Sequence, residues 1–128
     1  MRAQVCLALV LAGCTGEAGR SPELACQQRI AAVWDRAGAE TADPFNSRAY
    51  AAVDRAGCTP IQVAALDRFV ALTAALPALS EANEAAARSG GADHMAAFQR
   101  MNDAVIELNE MHRTEQAELA RLSPPSGR

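Results

Sequence analysis

The chain has 128 residues and a formal net charge of −3, room for one domain around a small core. Ala fills 30 positions, all 12 basic side chains are Arg with no Lys, and the aromatics are only Trp34, Phe45, Tyr50, Phe69 and Phe98. This composition favours helices, and without a basic stripe to neutralise phosphates it excludes a nucleic-acid partner.

In chain order, Met1-Arg2 reads as a minimal positive start, and Val5 to Ala12 is an apolar run too short to span a bilayer. It ends in Leu11-Ala12-Gly13-Cys14, a Leu and two small residues before a Cys. These four residues resemble the lipobox of bacterial lipoproteins, with a preferred residue at each place. The resemblance implies that residues 1–13 are a signal peptide and that diacylglyceryl is attached to the Cys14 thiol before the leader is cut away. Two or more acyl chains, palmitate among them, then hold the mature chain at the membrane, at about 0.8 kcal/mol per buried methylene. Thr15, in place of an Asp after the lipidated Cys, implies transfer to the outer membrane if the host is Gram-negative. The competing reading of Val5 to Ala12 is an ordinary apolar strand or buried helix, with Cys14 an incidental occupant.

Given that leader, Cys6 departs with it and Cys14 is acylated, leaving Cys26 and Cys58 as one pair. In an oxidising envelope the pair predicts a disulfide. Closing a loop of about thirty residues contributes roughly 3 to 4 kcal/mol in the chain-entropy picture. Two free buried thiols or a metal-binding pair are the alternatives, and the latter lacks the local C-x-x-C spacing of a zinc site.

Residues 14–20 read as a lipidated tether, 21–122 as a helical domain and 123–128 as a disordered tail. Ser21 caps a first helix with Pro22 at its first position, Cys26, Ile30, Val33 and Ala37 on the core side and Gly38 as the stop. A second helix is predicted from Asp43-Pro44, with Phe45, Ala49, Val53 and Ala56 on one face before Gly57. The third opens with Thr59-Pro60-Ile61-Gln62, which has the form of a capping box, and carries the stripe Val63, Leu66, Phe69/Val70, Thr73, Leu76 and Leu79. Pro77 inside that stripe predicts a kink or a break near Ala75 to Leu76, with Ser80 to Arg88 continuing as an exposed arm. After the turn Ser89-Gly90-Gly91, Asp93 is expected to cap a last helix running to about Leu122, before Ser123-Pro124-Pro125. The fold class that follows is all-α: a small helical bundle with a long antiparallel C-terminal hairpin, the first two helices packed across one end.

The last helix repeats Phe98, Met101, Val105, Leu108, His112, Glu115, Leu119 and Leu122 at steps of three and four. His112 and Glu115 put polar groups into that seam. Such a pair suits a metal ligand, a proton-transfer couple or a partner helix. The plainer expectation is that this end of the helix projects beyond the bundle and the pair is solvated. With His94, Met95, Met101 and Met111, His112 also offers soft ligands for copper, although these residues are spread over more than four turns and Met more often fills a core. There is no nucleophile constellation and no phosphate loop, so neither catalysis nor a cofactor is expected. Two functions remain. The first is a membrane-anchored envelope lipoprotein acting as a non-enzymatic interaction or structural module, with a protein partner or a second copy of itself. The second is a metal-handling (copper or zinc) periplasmic lipoprotein using His112, Glu115 and His94.

Overall fold

The computed structural model describes residues 20–36 and 45–125. Within them the protein is all-α, with helices α1 (Pro22–Asp35), α2 (Ser47–Ala51), α3 (Pro60–Ser89) and α4 (Ala92–Leu122). The proposed signal peptide, Cys14 and most of the tether lie outside the described residues, as do Ala37, Gly38, Asp43-Pro44 and the last three residues. Two long helices form an antiparallel hairpin, with α1 lying along α4 and α2 against α3.

Local sequence chemistry sets the helix starts. The Leu24 N–H donates to Ser21 Oγ at 3.1 Å, with Pro22 following the cap. At Thr59 both halves of the capping box are present. The Gln62 N–H donates to Thr59 Oγ1 (3.2 Å), and Gln62 Oε1 accepts from the Thr59 N–H (2.9 Å). Both devices satisfy amides that no preceding turn can serve.

The last helix starts differently from the expectation. Its cap is Gly91, and Asp93 sits in the first turn, where it faces the positive end of the helix without capping it. Gly90 and Gly91 both take positive φ (71° and 100°), so the hairpin turns on residues with no Cβ to clash.

The second helix is much shorter than predicted. Asn46, at φ 60°, interrupts the backbone before Ser47, and its buried amide donates to the Val33 carbonyl at 3.1 Å. At the other end Asp54 Oδ1 accepts from the Ala56 N–H (2.9 Å), closing a side-chain turn where helix was expected. Phe45 and Ala56 are exposed as a result, while Val53 and Tyr50 reach the core.

The core joins Cys26, Ile30 and Val33 of α1, Tyr50 and Val53, then Leu66, Phe69, Leu72 and Leu76 of α3 with Ala104 and Leu108 of α4. Tyr50 and Phe69 stack with centroids 4.7 Å apart, and burial with the charge of Glu115 pushes the Tyr50 hydroxyl up to about 12. The Cys26–Cys58 disulfide ties α1 to the start of α3, with Cα atoms 5.2 Å apart. Gly57 makes that approach possible. Its φ is +75°, and a Cβ there would lie 2.9 Å from Pro22 Cβ. Arg29 holds the same loop by donating to the carbonyls of Asp54 (3.1 Å) and Ala56 (2.6 Å).

Pro77 does not break α3, which runs unbroken from Pro60 to Ser89. Proline removes the donor that would serve the Thr73 carbonyl one turn earlier. Thr73 itself is buried, its hydroxyl donating back to Phe69 O at 2.6 Å. The long apolar stretch of α3 reaches a mean hydropathy of 1.5, enough by length and composition to cross a membrane, yet it lies against α2 and α4 and carries charged Asp67 and Arg68.

Along α4 the predicted seam is displaced in its first half. The buried positions are Ala97, Ala104 and Leu108, while Phe98 and Val105 are 43 % and 38 % exposed. Opposite them α3 presents Leu79, Ser80, Asn83 and Ala86, all half-buried. Two helices packed through small side chains place methyl groups at the centre of the contact and turn larger ones to its flank.

Candidate functional site

The polar interruption of α4 is packed, contrary to the expectation that it is solvated at a projecting end. Here α1 lies along the C-terminal half of α4, and it is the opposite half of the hairpin that extends past the core. Covalent attachment through Cys26 and the apolar face of α1 decide which end is covered, and neither is visible in the spacing of α4 alone.

His112 stacks on Trp34 with ring centroids 3.7 Å apart and planes 14° off parallel. Desolvation against the indole lowers its pKa, an effect opposed by the charge of Asp35. Glu115 is 9 % exposed. Its Oε2 accepts from Gln27 Nε2, which also donates to the Glu115 carbonyl at 3.2 Å. Burial raises the Glu115 pKa; the Gln27 bond works against that rise and the charge of Glu118 adds to it.

The network continues through Gln62, whose Nε2 donates to Gln27 Oε1 (3.0 Å) and to the Glu23 carbonyl (2.9 Å). From the Thr59 N–H to Glu115 it thus links the N-cap of α3 to the first half of α1 and the C-terminal half of α4, and Gln27 and Gln62 leave no polar atom unserved. Gln27 (1 % exposed) and Gln62 (6 %) were not singled out as site residues by the sequence reading. Gln62 was legible only as a capping residue. Gln27 adjoins Cys26 on the buried side of α1, and a Gln at such a position is the available signal.

This network floors a cleft of about 180 Å³, bordered by Glu23, Thr59, Ile61, Thr114, Glu118, Arg121 and Leu122. A shallower groove of about 350 Å³ adjoins it along α3 and α4, sharing Ile61, Thr114 and Glu115. At the mouth of the cleft Arg121 donates to Glu118 at 2.6 Å and reaches Glu23 at 3.5 Å.

The sequence-derived metal set is not brought together. His94 lies in the first turns of α4, 18 residues from His112, about 27 Å along the helix axis. Met95 is exposed near that far end. Among the described residues no three His, Cys, Asp or Glu side chains converge to hold a metal. Cys26 and Cys58 do meet, as the disulfide. Compared with protein-family models, curated proteins and solved structures, the chain matches none of them.

Proposed function

We propose that the protein is a lipid-anchored protein of the bacterial cell envelope whose helical domain serves as a non-enzymatic interaction module. The observation that carries this reading is the Cys26–Cys58 disulfide, because such bonds persist in oxidising compartments and are rare in the cytosol. It agrees with the compartment that the Leu11-Ala12-Gly13-Cys14 pattern implies. The hairpin adds a second support. It carries Met95 and Phe98 exposed on the arm of α4 and Val105 and Ile106 exposed farther along the same helix, apolar surface of the kind interaction sites use.

Intact mass of the chain recovered from membranes of its native host tests the anchor. A mature chain beginning at Cys14 with added acyl mass, lost in a Cys14→Ser variant, is the expected result. An unmodified chain still carrying Met1 overturns the localisation. For the interaction role, crosslinking in the envelope should join the hairpin to another envelope protein or to a second copy. A chain that stays monomeric and uncrosslinked contradicts that role.

A further inference from the structure

We propose that the cleft between the start of α1, the first turn of α3 and the last turns of α4 receives a primary alkylammonium group, the chemistry shared by a Lys side chain and a free alkylamine. The site consists of a buried carboxylate with one oxygen still free, at the floor of a cleft of about 180 Å³. Glu115 Oε2 takes the Gln27 amide, whereas among the described residues none donates to Oε1 and none forms an ion pair with Glu115. A buried carboxylate without a cation is costly, and a cation entering the cleft relieves that cost.

The charged groups facing the cleft are Glu23 from α1 and Glu115, Glu118 and Arg121 from α4, with only Thr59, Ile61 and Gln62 from the start of α3. Arg121 is held across the mouth by Glu118 and Glu23 and does not pair with Glu115. The chain has no Lys of its own to fill the site. A guanidinium binds best to two free carboxylate oxygens in a fork, whereas an ammonium is a compact point charge suited to the single free oxygen. Size agrees as well, since a cleft of about 180 Å³ has room for a short alkylammonium. Ile61, 82 % exposed, and Leu122 flank the opening and give a short methylene stem an apolar wall. None of this depends on the lipid anchor, so the titration below and the mass measurement above can fail independently.

The test is an NMR titration of the full, disulfide-bonded chain with n-butylammonium chloride and with Nα-acetyl-lysine amide, following the side-chain amides of Gln27 and Gln62. Sodium chloride at matched ionic strength and 1-butanol are the controls. Saturable shifts with a Kd on the order of 1–10 mM are expected for so small a ligand, tightening as the pH rises and Glu115 ionises. Glu115→Gln should weaken binding by about tenfold or more, while Glu107→Gln, on the exposed Arg68 pair, leaves it unchanged. Ile61→Ser, at an exposed position that spares the fold, should weaken n-butylammonium more than methylammonium. Binding of the free amine alone assigns the cleft to small amines, and binding of the lysine amide too assigns it to a protein side chain. No saturable shift, an equal response to 1-butanol, or a folded Glu115→Gln variant that binds as well as the wild type overturns the proposal.

Discussion

The two ends of the long hairpin are built on different principles. At the end covered by α1 and α2, large side chains interlock. Phe69 stacks on Tyr50, Leu66 and Leu76 are fully enclosed, and a disulfide crosses the layer. Past Pro77 the same two helices continue, but between Pro77 and Asp103 only Ala97 is buried. One end is held by tertiary packing. The other relies on helix propensity and a row of small contacts. Helical order therefore does not measure stability here, and amides of the arm should exchange with solvent before those of the core.

The sharpest way to break this comparison is to truncate one Phe in each region. Phe69→Ala should cost about 3–5 kcal/mol in denaturant unfolding, because it empties a core site and removes the Tyr50 stack. Phe98→Ala, at a half-exposed position, should stay within about 0.5 kcal/mol. Equal losses would mean that the arm shares the core.

Removing the staple is the next largest test. The double variant Cys26→Ala/Cys58→Ala should lose about 3–4 kcal/mol and release α1 from α4, seen as loss of the Trp34–His112 ring contact. The arm should keep its helical signals.

Pro77 stands at the junction, and Pro77→Ala restores the donor to the Thr73 carbonyl. A gain of about 1–3 kcal/mol is expected, read as a higher denaturation midpoint. A loss would show that the proline fits a bend on which the packing depends.

The smallest effect concerns pH. The Glu115 pKa is raised in the folded state, so its contribution is most favourable below the unfolded carboxylate pKa and is lost as pH rises through the folded value. Wild type should therefore gain stability relative to Glu115→Gln on acidification from neutral pH. His112, with a lowered pKa, acts in the opposite sense as pH falls through the imidazole range, but it is common to both chains and cancels in the difference. Parallel melting curves across that range would show that Glu115 does not titrate between the two states.

Much of the fold was legible from residues whose effect is local. Ser21, the Thr59–Gln62 box, the Gly90-Gly91 turn and the stop at Ser123 act within one turn of the chain, so their outcome needs no knowledge of distant partners. The site was legible only in part. His112 and Glu115 stood out as polar residues on an apolar stripe, yet their partners Trp34 and Gln27 come from a helix about 80 residues earlier. No periodicity within α4 reveals what will lie on it.

What the sequence determined by itself is the helical class, the caps at Ser21 and Thr59, the hairpin and, through cysteine number, the candidate disulfide. Tertiary structure decided which half of α4 is covered, why α2 shrinks to five residues once Asn46 turns inward to Val33, and which oxygen of Glu115 remains free. The reason is physical. Capping and propensity are short-range and act on neighbours in sequence, whereas burial and carboxylate pairing depend on which surfaces meet, and here Cys26, Gly57 and Arg29 bring them together from opposite sides of the α1–α3 connection.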